Sequence, residues 1–187
     1  TRKLLDLIKT PLAAPSANIS SKLSPTSSSD VVDEFKNKIK FILDGGKSKI
    51  GLESTIVDLT GYPKILRSGY ITELKINKIL KNKIKIEKKV RKIKSPGQLK
   101  YHYSPGIPVK FSDKKPNRNE AVIGLGKKFK QKSNHFNLSK NGNLNEAANK
   151  LYRTLRKIKN KGYKSIIVNK IPNIEIGIAI NDRLKKA

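Results

Sequence analysis

Leu144-Asn-Glu-Ala-Ala-Asn-Lys-Leu-Tyr-Arg-Thr-Leu-Arg-Lys-Ile158, followed beyond Gly162 by Ser165-Ile-Ile-Val168, is the stretch that decides the fold class. Leu144, Ala147, Ala148, Leu151, Leu155 and Ile158 recur at helical spacing, which predicts a strongly amphipathic helix ending before Gly162. The short apolar run after it suits a buried strand, and strand-helix-strand order is the signature of a parallel sheet. Residues 109–111, 121–125 and 135–138 are candidate strands ahead of that helix. At the end of the chain, Ile174, Ile176, Ile178 and Ile180 alternate like a strand while Ile176, Ile180 and Leu184 fit a helix. A helix from about Gly177 is expected, because Asn181-Asp-Arg-Leu-Lys-Lys186 makes a good helix terminus.

Upstream the reading is again mixed α/β. Leu4, Leu5 and Ile8 have helical spacing and Pro11 stops them, after which residues 12–14 suit a buried strand and residues 16–29 a polar loop. Residues 30–39 read as a short helix with Val31, Phe35 and Ile39 on one face and Ser28 or Ser29 as cap. Residues 39–43 are strand-like and run into the turn Asp44-Gly-Gly46. Residues 56–59 and 64–66 suggest a hairpin around Gly61-Tyr-Pro63, and Thr72 caps a helix through about Leu80. Residues 81–104 carry many charges, few periodic apolar positions and the breaker Pro96-Gly97, which reads as a linker.

At 187 residues with 36% apolar content, the chain is long enough to bury a core. It has no Cys and only His102 and His135, so disulfides, thiolate chemistry and His-based metal sites are disfavoured. No apolar run approaches the roughly 20 residues of a membrane span. The formal charge of +28 points toward polyanions. Yet Lys outnumbers Arg about five to one and the charge is spread along the chain, densest at residues 81–94. A solvated basic surface and an RNA-facing one both remain open.

Three polar clusters flank apolar runs and read together as one small-molecule site: Ser16-Ala-Asn18, Glu53-Ser-Thr55 and Arg67-Ser-Gly69. Each also has a plain alternative. Ser16 and Asn18 are common loop formers, Ser54 and Thr55 can pair across a sheet, Arg67 can make a surface ion pair, and His102 and Tyr103 can pack a linker. Gly46-Lys-Ser48 is no phosphate loop, because Phe41 stands where that motif needs its first glycine. Gly124-x-Gly126 follows a strand but lacks the third glycine of a dinucleotide fingerprint.

Beyond these separate readings, the order and approximate spacing of several segments resemble the YrdC-like family of L-threonylcarbamoyladenylate synthases, in its longer two-domain form. The segments are Pro11-Leu-Ala-Ala-Pro-Ser-Ala-Asn18, Ser24-Pro-Thr26, Leu43-Asp-Gly-Gly46, Gly51-Leu-Glu-Ser-Thr-Ile-Val-Asp-Leu59, Ile65-Leu-Arg-Ser-Gly69 and Ser95-Pro-Gly-Gln-Leu-Lys-Tyr-His-Tyr-Ser-Pro105. Ala179-Ile-Asn-Asp-Arg-Leu184 is similar to the end of the family's second domain.

The resemblance implies the carboxyl-terminal part of a YrdC-like twisted open α/β sheet domain in residues 1–80. A linker and lid in residues 81–106 and a small Rossmann-like α/β domain in residues 107–187 would follow. It implies a nucleotidyltransferase that joins L-threonine, bicarbonate and ATP into threonylcarbamoyl-AMP and pyrophosphate, for modification of adenosine 37 in tRNA. Ser16 and Ser54 would contact threonine. Asn18, Thr26, Arg67 and Tyr103 would contact ATP, with His102 beside Tyr103. Mg2+ would arrive with ATP, with no metal held by the protein. The product would pass to a threonylcarbamoyl transferase in the cytoplasm, and the basic surface would be a candidate for double-stranded RNA. The family's Lys-x-Arg motif lies in its first half and is not found here, so the chain reads as a carboxyl-terminal fragment in which catalysis is not assured. The competing expectation is a non-catalytic basic RNA-binding module built on residues 81–94.

Overall fold

The computed structural model describes residues 1–80, 83–87, 93–99, 101–130 and 132–187. Expectations for residues 81, 82, 88–92, 100 and 131, including much of the basic run, lie outside the described residues. The element order is α1 (Arg2–Ile8), α2 (Ser28–Phe35), β1 (Ile56–Asp58), β2 (Lys64–Arg67), α3 (Glu73–Ile79), β3 (Lys85–Ile86), β4 (Val109–Phe111), β5 (Glu120–Gly124), β6 (His135–Asn137), α4 (Leu144–Asn160), β7 (Ser165–Val168) and α5 (Ile176–Lys186).

The four carboxyl-terminal strands pair in parallel in the order β4-β7-β5-β6. That order follows from α4, which carries the chain back over the sheet so that β7 enters between β4 and β5. Asn143 caps α4, its Oδ1 accepting from the amides of Asn145 (2.9 Å) and Glu146 (3.0 Å), so two otherwise unpartnered N–H groups are satisfied. The predicted apolar stripe of α4 is buried with Ala121, Ile123, Ile166 and Val168 and with Ile176, Ile180 and Leu184 of α5 in one cluster. Each such Leu or Ile contributes roughly 1.5–3 kcal/mol relative to an exposed position. The helical choice for the carboxyl terminus holds.

The amino-terminal sheet is smaller. β1 runs antiparallel to β2 as the hairpin reading expects, and β3 adds in parallel on the other side of β2. Thus the segment read as a linker contributes a strand. The cap of α2 is Ser27 rather than Ser28 or Ser29, because Asp30 three residues on closes a capping box with it. Helical turns end at Lys38, one residue before the expected Ile39. Residues 12–14 and 39–43 are not strands. Leu12 is 60% exposed and Phe41 90% exposed, and neither segment has a neighbouring strand among the described residues to complete a ladder. The turn after residue 43 is present, with Asp44 Oδ1 accepting from the Gly46 amide at 2.8 Å.

The second face of α4 joins the two parts. Asn149, Tyr152 and Arg156 follow one another at i, i+3 and i+7, just beside the buried stripe. Asn149 Nδ2 donates to the carbonyls of Ser48 (3.0 Å) and Lys49 (2.8 Å), and Arg156 Nη2 to that of Leu23 (2.8 Å). Leu23 itself enters the carboxyl-terminal core. Gly51 has φ +79°, and a Cβ there would stand 2.7 Å from Asn149 Cα, so glycine is required at the contact.

Candidate active site

Glu53 is the centre of the polar arrangement. Its carboxylate accepts from Ser24 Oγ (2.5 Å), from Tyr152 OH (2.9 Å to each oxygen) and from Arg183 Nε (2.9 Å). Arg183, whose side chain is fully buried, also donates Nη1 to Asp182 (2.8 Å) and Nη2 to the Ser68 carbonyl (2.9 Å). Its guanidinium lies over the Tyr103 ring at 4.9 Å, and that ring stacks on Tyr152 at 6.1 Å. A buried charge needs this density of partners. Burial alone would raise the Glu53 carboxyl, but the Arg183 charge and the Ser24 hydrogen bond outweigh it and hold it below its ordinary value. Burial pushes the Tyr152 phenol well up, with the Glu53 charge acting in the same direction.

Ser54, next in sequence, meets Arg67 on the outer side of this centre. Arg67 Nε donates to the Ser54 carbonyl (3.0 Å), Nη2 to Ser54 Oγ (3.3 Å) and Nη1 to the Pro96 carbonyl (3.5 Å). Gly97, at φ +85°, passes between Arg67 and Tyr103, where a Cβ would fall 2.3 Å from the Tyr103 hydroxyl and 3.0 Å from Arg67 Cδ. Tyr103 is itself in the left-handed region at φ +64°, a strained setting for a large side chain that tends to cluster at functional sites. Its hydroxyl is buried and has no hydrogen-bond partner among the described residues.

The Tyr103 segment is pinned from both ends. The Ser104 amide donates to the Ser21 carbonyl (2.8 Å), the His102 amide to the Lys186 carbonyl (2.7 Å), and Lys186 Nζ to the Gly97 carbonyl (2.8 Å). Burial lowers the His102 imidazole below its ordinary value, only partly opposed by Glu53. Its ring stands edge-on to Tyr103 at 4.2 Å.

Ser16 and Thr26 line a cavity of about 250 Å³ whose floor includes Ser24, Glu53 and Tyr152. Thr26 donates both its amide (2.6 Å) and its hydroxyl (2.9 Å) to Asp30 Oδ2, and its carbonyl accepts from the Ser48 amide (2.8 Å). Asn18 keeps to its own loop, donating Nδ2 to the carbonyls of Ile19 (3.0 Å) and Lys22 (3.2 Å), while its Oδ1 is buried without a partner among the described residues. The structure therefore joins Ser54, Arg67 and Tyr103 in one cluster and Ser16 and Thr26 in another. Glu53 borders both, and Asn18 is bonded to neither.

Arg183 and Tyr152 are missing from the sequence-derived set. The signal was present: position 183 is seven residues from Ile176 and falls on the apolar face of α5, where an arginine must find buried anions. Among the described residues no group of three or more His, Cys, Asp or Glu side chains converges as a metal would require, and no helix is long and apolar enough to cross a membrane.

Comparison with known proteins connects this arrangement to a family. A family model described as threonylcarbamoyl-AMP synthase, C-terminal domain, matches residues 71–187. The chain belongs to the threonylcarbamoyl-AMP synthase family. A second model, described as telomere recombination and covering the Sua5, YciO and YrdC proteins, matches residues 1–69. The threonylcarbamoyl-AMP synthase of Pyrococcus abyssi is 34% identical over 99% of this chain and 60% of its own length. That of Bacillus subtilis is 31% identical over 95% of this chain and 57% of its own length. The crystal structure of P. abyssi Sua5 complexed with L-threonine superposes with a TM-score of 0.80 at 30% identity, over 99% of this chain and 60% of that one. The chain thus spans about 60% of the length of these threonylcarbamoyl-AMP synthases.

Proposed function

We propose that the chain provides the carboxyl-terminal share of an L-threonylcarbamoyladenylate synthase, which forms threonylcarbamoyl-AMP and pyrophosphate from L-threonine, bicarbonate and ATP. The observation that carries this reading is the convergence of Ser54, Arg67 and Tyr103 in a chain of this family. On this reading residues 1–80 belong to the catalytic domain, residues 81–106 form the lid and residues 107–187 a Rossmann-like domain. The exposed apolar side chains Leu7, Leu12, Phe41 and Leu43 offer surface for the remainder of the catalytic domain.

Adenylyl transfer asks for a carbamate oriented against the α-phosphate and for neutralisation of the charge that develops there, rather than for a nucleophilic side chain. Arg67, already fixed on Ser54, is placed to meet phosphate oxygens. The buried hydroxyl of Tyr103 and the buried Oδ1 of Asn18 are free to bond a nucleotide, with Thr26 on the neighbouring cavity. Ser16 and Ser54 supply hydroxyls for threonine, the molecule bound in the archaeal neighbour. Mg2+ enters as part of the nucleotide substrate. A lid closed over the site would keep water from the labile carbamate. The product would serve a threonylcarbamoyl transferase acting on tRNA in the cytoplasm.

The test is pyrophosphate release from ATP, measured on this chain and on the polypeptide that includes the upstream reading frame. Release from the longer polypeptide that requires both threonine and bicarbonate, and falls at least 100-fold in Arg67→Ala, is expected, about 2.7 kcal/mol of transition-state stabilisation. Release indifferent to threonine would overturn the reading.

A further inference from the structure

Tyr152 stands beside the apolar stripe of α4 and is buried in the carboxyl-terminal cluster with Leu151, Leu155 and Tyr103. Packing there asks only for a ring, which phenylalanine would supply. A buried phenol also needs a partner for its hydroxyl. This one finds it 99 residues away in the Glu53 carboxylate, with both oxygens at 2.9 Å. The same side chain lines the cavity of Ser16 and Thr26, and its ring stacks on Tyr103 at 6.1 Å. From the carboxyl-terminal part, Tyr152 thus reaches both of the clusters that face ligand.

Those clusters sit on separate stretches of backbone. Ser16 and Thr26 lie between α1 and α2, Ser54 and Arg67 at β1 and β2, and Tyr103 between β3 and β4. Glu53 ties them together. Its carboxylate accepts from Ser24 Oγ (2.5 Å), two residues before Thr26, and its own backbone runs directly into Ser54. Arg183 Nε (2.9 Å) supplies the counter-charge, so charge balance does not require the phenol. What the phenol adds is direction. Ser24 holds one carboxylate oxygen, Arg183 the other, and Tyr152, equidistant from both, closes the third side. Three donors from three parts of the chain fix both the position and the plane of the carboxylate.

On the synthase reading each substrate spans both clusters: threonine between Ser16 and Ser54, and ATP between Thr26 and the pair Arg67 and Tyr103. A reaction that works by alignment can lose about 100-fold when one contact is displaced by about 1 Å. We propose that Tyr152 is a positioning residue of the synthase, acting through Glu53 and Ser24 to set the distance between the two clusters. The proposal rests on the synthase reading for the identity of the ligands. A side chain that touches one ligand alters one affinity, whereas one that sets the spacing alters both.

The test is calorimetric titration of ATP and of threonine into the polypeptide that includes the upstream reading frame, alongside pyrophosphate release. Tyr152→Phe keeps the ring and removes the hydroxyl. It is expected to weaken both ligands about fivefold at unchanged stoichiometry and to lower kcat about tenfold. Ser24→Ala cuts the same bridge from the other side and should reproduce this pattern, which decides the matter if Tyr152→Phe fails to fold by circular dichroism. Because both changes break one bridge, the double variant should lose no more than the larger single loss. Tyr163→Phe removes a hydroxyl bonded to the Ser133 carbonyl (3.3 Å), away from the site, and should match the parent. Weakening of one ligand alone, additive losses in the double variant, or a lowered stoichiometry with unchanged affinities would each overturn the proposal. A parent that binds ATP but releases pyrophosphate without threonine would overturn the synthase reading instead. The ATP affinities of the two single variants and the double variant would then decide the positioning role by themselves.

Discussion

Residues 1–80 and residues 107–187 are built on opposite terms. The carboxyl-terminal part buries its own apolar residues in a continuous cluster, while in the amino-terminal part only Leu23 and Ile65 are buried apolar side chains and Leu7, Leu12, Phe41 and Leu43 stand in solvent. Yet the candidate site loops belong mostly to the second kind of region. They are ordered because they lean on the first kind: Leu23 enters its core, Glu53 pairs with Arg183, and Ser68 accepts from the same guanidinium. A polar site can therefore be positioned by a neighbouring core that contributes few of its ligand-facing groups.

The largest effect should come from Arg183→Met, which leaves the Glu53 carboxylate buried without its cation. Urea denaturation should show a loss of about 3–5 kcal/mol. A loss below about 1 kcal/mol would mean that the two parts do not depend on this pair. Leu23→Ala removes the apolar plug while sparing the charges, and should cost about 2–5 kcal/mol in the same assay. Acid sharpens the contrast further. Because the folded Glu53 carboxyl lies below its unfolded value, its contribution is present above the ordinary glutamate range, about 4.3, and is lost as pH falls through the folded value. Thermal melts at a series of pH values should show a steeper acid decline for the parent than for Glu53→Gln. The smallest effect belongs to Phe41→Ser, since that ring is 90% exposed, and stability should shift by no more than about 0.5 kcal/mol.

Periodicity made most of the carboxyl-terminal part legible: the α4 stripe and the strand at β7 emerge from apolar spacing that the local core rewards, while α5, whose spacing fits strand and helix alike, was decided by its terminus residues Asn181 to Lys186. The same reasoning overreached at residues 12–14 and 39–43, where apolar runs lack a strand to pair with. Capping was legible to within one residue at α2, where Asp30 selects Ser27 over its neighbours. At the site, Ser54, Arg67 and Tyr103 were identified as separate candidates, but their meeting depends on the turn at Gly97 and on contacts spanning tens of residues. The Glu53–Arg183 pair joins positions 130 apart in the chain, which no local pattern announces. Only the misfit of an arginine on an apolar helix face pointed to it.

Native-state amide hydrogen exchange in the parent and in Arg183→Met tests most directly whether the core of the carboxyl-terminal part orders the site loops. The account predicts that amides in residues 53–69 lose protection in the variant while those in α4 and β5 retain much more of it. Uniform loss across all of these segments, or unchanged protection at residues 53–69, would contradict it.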